Sequence, residues 1–173
     1  MELGGNAPFI VCADADIDTA VDGAMAAKMR NMGEACTAAN RMYVHRDIAA
    51  AFSERLAARM AALRVGNGLD DGTEVGPLID SAGRAKVQRL VDDALQRGAT
   101  ELTGGRLPEG PGYFYPPTVL ANVSADSDLM TTEIFGPVAP IVPFDDEDEV
   151  INRANDTDWG LVGYLFTQDI DRA

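Results

Sequence analysis

With 173 residues, 46% of them hydrophobic and 24% charged, the chain is long enough to bury roughly 70% of its unfolded surface in a single domain. Its formal net charge of −14, from 28 acidic and 14 basic residues, opposes nucleic acid and anionic membrane surfaces as partners. It has no long apolar run and no low-complexity tract. Its two cysteines, Cys12 and Cys36, are too few for a disulfide scaffold, and Met1-Glu2-Leu3-Gly4-Gly5 has no signal-peptide character, so a reducing cytoplasm is the expected compartment.

In chain order, the apolar run Phe9-Ile10-Val11 predicts a buried strand. Ile17, Ala20, Val21, Ala24 and Met25 then recur at helical spacing. Met42-Tyr43-Val44 predicts a second strand, followed by a helix that Asp47 should cap and that carries Ile48, Phe52, Leu56 and Met60 in steps of four. A third helix runs from a cap at Asp80 to a stop at Gly98, with Val87, Leu90, Val91, Ala94 and Leu95 on one side. Glu101-Leu102-Thr103 predicts a strand. The Gly- and Pro-rich stretch 104–117 predicts a surface loop into a strand at Thr118-Val119-Leu120. A strand over residues 139–142 precedes Asp146 and Glu149, a capping box opening a short helix through Ala154. Residues 161–166 predict a last strand, and Asp169-Ile170-Asp171-Arg172-Ala173 the start of another helix. This alternation defines an α/β fold with a largely parallel sheet flanked by helices. No G-x-G-x-x-G phosphate loop is present, so any dinucleotide-binding domain would lie outside these residues.

Among the residues able to carry chemistry, Cys36 lies in the polar stretch Asn31-Met32-Gly33-Glu34-Ala35-Cys36-Thr37, where a turn is expected. A thiol there becomes a nucleophile if a base or a helix end lowers its pKa; the competing reading is a small buried cysteine, which is also the reading for Cys12. Glu2 precedes paired glycines that let backbone pass close to another group, although acids near a terminus are usually solvated. Glu133-Ile134-Phe135-Gly136-Pro137 combines a carboxylate with an aromatic and a turn, and suits either a ligand wall or a closed core. His45, the only histidine, is expected to be exposed at a strand end, so a cysteine–histidine thiol hydrolase is a distant alternative. No zinc spacing exists, and the run Asp145-Asp146-Glu147-Asp148-Glu149 fits a solvated helix start rather than a calcium loop, so no metal is expected.

Together, Glu2-Leu3-Gly4-Gly5-Asn6, Gly33-Glu34-Ala35-Cys36 and Glu133-Ile134-Phe135-Gly136-Pro137 resemble the general-base, nucleophile and cofactor-contact motifs of the aldehyde dehydrogenase superfamily, in the right order and at matching spacing. Gly76-Pro77-Leu78-Ile79, Tyr115-Pro116-Pro117-Thr118 and Asn155-Asp156-Thr157 with Gly160-Leu161 extend the resemblance along the chain. It implies that Cys36 attacks an aldehyde to give a thiohemiacetal and then a thioester, and that Glu2 activates water. It further implies that Glu133 binds the nicotinamide ribose of NAD or NADP, that Phe135 packs near the nicotinamide, and that the Cys36 N–H supplies half of an oxyanion site.

The stretch from Arg30 to Cys36, with Asn6-Ala7-Pro8-Phe9-Ile10-Val11, most resembles the succinate-semialdehyde dehydrogenase branch. There the arginine six residues before the nucleophile holds the substrate carboxylate, which makes Arg30 the candidate substrate-binding residue; the competing reading is a surface arginine at a helix end. Ala38 stands where some members carry a second cysteine, so their redox-switching disulfide is not expected. By the same resemblance, residues 1–173 form part of a catalytic domain. The dinucleotide-binding domain, the oxyanion-hole asparagine, a cofactor-contacting lysine and the C-terminal oligomerisation segment are absent, and the full-length enzyme is expected to be a homo-oligomer. A non-catalytic remnant and a dehydrogenase for another aldehyde are the alternatives. Small-molecule aldehydes are the expected partners, with neither nucleic acid nor membrane.

Overall fold

The computed structural model describes residues 4–173. Six strands form one sheet in the order β3-β4-β5-β2-β1-β6: β1 Ala7–Val11, β2 Ala39–His45, β3 Thr100–Thr103, β4 Thr118–Ala121, β5 Val138–Phe144 and β6 Tyr164–Phe166. Every neighbouring pair is parallel except β3 with β4. The expected largely parallel α/β architecture is therefore what the chain adopts.

The helices are α1 Ile17–Met29, α2 Arg46–Ala61, α3 Ser81–Gln96 and α4 Glu147–Asn155. They cover both faces, so the central strands are buried on two sides and alternate between two cores. On one face Tyr43, Val138 and Val142 meet Val87, Leu90, Val91 and Ala94 of α3. On the other, Met42, Val44, Ala139 and Ile141 meet Ala20, Val21 and Ala24 of α1 and Phe52, Leu56 and Met60 of α2. Two-sided burial is why β2 and β5 lack the polar alternation of half-exposed strands. Among the described residues no helix is long and apolar enough to cross a membrane.

Most caps follow local chemistry. Asp16 accepts from the Thr19 N–H at 2.8 Å, Asp80 from Gly83 at 2.7 Å, and Asp146 from Glu149 at 2.8 Å, each satisfying an orphan donor of a first turn. At α2 the expectation fails. The helix starts directly from β2 at Arg46, and His45 is the cap, its Nδ1 accepting from the Asp47 N–H at 3.3 Å. Nor is His45 exposed as expected. It is half-buried, because its register partner on β5 is Phe144, whose ring it meets edge-on at 5.4 Å.

The capping box at α4 is only half formed: Asp146 caps, but the Glu149 carboxylate pairs with Arg153 instead. Two further expectations contract. Only Tyr164–Phe166 of the last apolar run pairs as strand, and residues 169–173 form turns rather than a helix.

Candidate active site

Cys36 lies, as expected, in a turn between α1 and β2 and is partly exposed, whereas Cys12 is buried. The approach to that turn is unusual. A 3-10 turn, Arg30–Gly33, contains Asn31 and Met32 both at φ 49°, followed by Gly33 at φ 81°. Asparagine tolerates the left-handed region, but for methionine it costs of the order of 1–2 kcal/mol. The turn is held by the Asn31 Nδ2, which donates to the Glu34 carbonyl at 2.8 Å, by the Glu34 N–H donating to the Asn31 carbonyl at 2.9 Å, and by burial of the Met32 side chain. Such strain persists only where its surroundings over-determine it, a property common at functional sites.

Two glycines bring separate segments against this turn. A Cβ on Gly33 would overlap the Gly136 carbonyl oxygen, and one on Gly5 would overlap the carbonyl oxygen of Cys36. The Gly5 N–H also donates to Glu133 Oε1 at 2.9 Å. As a result the glycine pair, the cysteine turn and the segment before β5 meet at the ends of their strands. One cavity of about 600 Å³ is lined by Gly4, Arg30, Glu34, Cys36, Glu133 and Phe135. All four described candidate residues, Cys36, Arg30, Glu133 and Phe135, thus line one cavity. Glu2 lies outside the described residues, but Gly4, two positions on, forms part of the cavity wall. A second cavity, of about 360 Å³, reaches Cys36 from the side of Asn6, Thr157 and Trp159.

Within the first cavity, Arg30 is exposed, and among the described residues it makes no ion pair. Phe135 has φ 51°, anchored by the fully buried Ile134 before it. Lys86 of α3 donates to the Glu133 carbonyl at 3.2 Å and stands 5.9 Å from the centroid of the Phe135 ring. Burial lowers the Lys86 pKa, while Glu133 and Glu34 work in the opposite direction. Burial likewise raises that of Glu34, whose Oε1 accepts from the Ile79 N–H at 3.3 Å. A cation influenced by two carboxylates of the cavity wall therefore stands against Glu133 and Phe135.

Sequence reasoning missed Lys86, Lys28 and Arg41. For Lys86 no signal exists, since a lysine in the second turn of a helix is ordinarily solvated. Lys28 and Arg41 did carry a signal. Lys28 continues the buried row Ala20, Ala24, and Arg41 interrupts an apolar central strand. Arg41 is 1% exposed and gives its donors to three carbonyls, those of Asn6 at 2.8 Å, Arg153 at 3.0 Å and Ala154 at 2.9 Å. It thereby ties the end of α4 to β1, beside the second cavity.

The residues present fit part of a nicotinamide cofactor. Glu133 is held through Oε1, and its Oε2 stands where a Cβ on Gly4 would come within 2.8 Å, beside an aromatic ring and an amine. A phosphate-cradling glycine loop is not in the sequence. Among the described residues no group of three or more His, Cys, Asp or Glu side chains could hold a metal ion.

At one end of a largely parallel α/β sheet, a strained cysteine turn, a glycine pair and a glutamate therefore enclose one cavity. The aldehyde dehydrogenase family matches residues 1–173, and the chain belongs to that family. It is 53% identical over 172 residues to a succinate-semialdehyde dehydrogenase of Paenarthrobacter nicotinovorans, covering 99% of this chain and 38% of that protein. It is 50% identical to a glutarate-semialdehyde dehydrogenase of Pseudomonas putida (99% and 35%), and 48% identical to a 3-sulfolactaldehyde dehydrogenase of Pseudomonas putida (99% and 35%). The solved succinate-semialdehyde dehydrogenase of Burkholderia pseudomallei superposes with a TM-score of 0.96 at 47% identity, over 99% of this chain and 36% of that one. The chain thus spans little more than a third of the length of these relatives.

Proposed function

We propose that this chain is part of the catalytic domain of an enzyme that oxidises an aldehyde bearing a second, anionic group, most specifically succinate semialdehyde, to the carboxylic acid with NAD or NADP. The observation that carries this reading is one cavity shared by Cys36, Arg30, Glu133 and Phe135. The relatives named for succinate semialdehyde, glutarate semialdehyde and 3-sulfolactaldehyde support it, because each of those substrates carries an anion away from its aldehyde.

In this mechanism Arg30 binds the distal carboxylate, where a guanidinium offers two parallel donors. That contact sets the aldehyde carbon against Cys36, whose thiolate adds to it and gives a thiohemiacetal. The backbone N–H of Cys36 donates to the oxyanion that forms. The bound nicotinamide supplies the acceptor for the hydride. Glu133 would hold the hydroxyls of its ribose, and Phe135 would pack against the ring. Loss of hydride leaves a thioester on Cys36, and Glu2 takes a proton from the water that hydrolyses it. The dinucleotide-binding domain and the oligomerisation segment are assigned to parts of the full-length enzyme outside these residues.

Replacing Cys36 with alanine in the full-length enzyme tests the assignment. Dehydrogenase turnover should fall by at least a thousandfold, of the order seen when a covalent nucleophile is removed. Retained turnover would remove Cys36 from the mechanism.

A further inference from the structure

Lys28 takes part in no step described above, yet it is 0% exposed at the end of the buried row of α1. A buried amine is costly unless its hydrogen bonds are satisfied. Its partner is Oδ1 of Asn40 on β2, at 2.9 Å, and Asn40, itself 0% exposed, turns its Nδ2 to the Gly5 carbonyl at 3.3 Å. Gly5 in turn donates to Glu133 and packs against the carbonyl of Cys36. A continuous chain of contacts therefore runs from this amine to two walls of the cavity.

We propose that Lys28 is a positioning residue that sets the orientation of the Asn40 amide and through it holds the Gly4–Gly5 backbone between Cys36 and Glu133. An ammonium only donates, so it accepts no partner but Oδ1 of Asn40, and Nδ2 must then face Gly5. A neutral amine can accept from Nδ2 as well as donate to Oδ1, so it no longer forbids the turned amide, and the Gly5 tie loses the constraint that enforces it.

Burial brings the Lys28 pKa down to about 7, with Glu133 favouring the charged form and Lys86 opposing it. Among the described residues these two, from the segment before β5 and from α3, are the charged groups that act on it. The choice between the two amide orientations consequently falls in the neutral range. The orientation that makes the Gly5 tie is enforced on the acid side and no longer enforced on the alkaline side.

The inference borrows from the proposed function only the choice of Cys36 and Glu133 as the working site, and its test reads hydrogen bonding rather than turnover. In two-dimensional ¹H–¹⁵N spectra of the 173-residue chain, titrated about two pH units either side of neutrality, the Gly5 amide and the Asn40 side-chain amide should shift together with one midpoint. That shared transition should vanish in Lys28→Met, and in Lys28→Arg both signals should stay at their low-pH positions. A transition that persists in Lys28→Met belongs to another group and overturns the proposal; so does a Gly5 signal that does not move in the unaltered chain. Should Lys28→Met not fold, selective ¹⁵Nζ-lysine labelling of the unaltered chain decides instead. The Lys28 and Gly5 midpoints must coincide, and distinct midpoints overturn the proposal.

Discussion

The Gly5 N–H donates to the Glu133 carboxylate at 2.9 Å across 128 residues of sequence, and the same glycine has no room for a side chain because the Cys36 carbonyl stands against it. Gly5→Ala should therefore act on both partners at once. A methyl group forced against backbone is an overpacking change worth roughly 1–3 kcal/mol, so the melting temperature should fall by roughly 5 °C. The rate at which iodoacetamide alkylates Cys36 should change with it. Differential scanning fluorimetry and mass spectrometry read the two effects. An unchanged melt together with an unchanged alkylation rate would mean that the close approach of these segments does not exist.

Lys28 also predicts a pH dependence of stability. Its pKa is depressed to about 7 in the folded chain from an ordinary value of 10.5, so between these values the unfolded chain binds the proton that the folded chain has lost. Stability must rise with pH across that window, by up to about 1.4 kcal/mol per unit for a single group. Below pH 7 both states are protonated, and the full cost of burying the charge is felt. Urea titrations at intervals from neutral to pH 10 should show this rise, and Lys28→Met should lack it. A rise of equal size in the variant would assign it to another group.

How much of this was legible in the sequence depends on what each residue faces. The rows Phe52, Leu56, Met60 and Val87, Leu90, Val91, Ala94 are buried as their spacing demands, because periodicity reports directly on a one-sided contact. The start of β2 was not legible. Asn40 and Arg41 break its apolar pattern, and only the carbonyls waiting at Asn6, Arg153 and Ala154 make an arginine acceptable there. The α2 cap was misplaced for a similar reason: His45 serves because strand passes straight into helix. Of the residues in and around the cavity, Cys36 and Glu133 are singled out by motifs and spacing, whereas Lys86 and Asn40 make their contacts with partners distant in sequence and invisible to any local pattern.

Arg30 carries the choice of substrate in this account. Arg30→Ala in the full-length enzyme should raise the KM for succinate semialdehyde roughly tenfold to a hundredfold, the scale of a lost charge-assisted hydrogen-bonded pair. The KM for an uncharged aldehyde of similar length should change little. Steady-state kinetics with both substrates makes the comparison, and equal increases would show that Arg30 shapes the site without recognising an anion.

If the phosphate-binding half of the cofactor site lies elsewhere in the full-length enzyme, the 173-residue chain should show no specific heat of binding with NAD or NADP in isothermal titration calorimetry. Saturable binding of either would contradict that division of labour and bring the whole cofactor site into these residues.

The central claim is that Cys36 carries the acyl group, and rapid acid quenching of the full-length enzyme during turnover of succinate semialdehyde with NAD or NADP tests it most directly. Mass spectrometry of the digested protein should find a succinyl thioester on the peptide containing Cys36, lost on treatment with hydroxylamine. An acyl group on another residue, or turnover with no acylated peptide at any time point, would contradict the account.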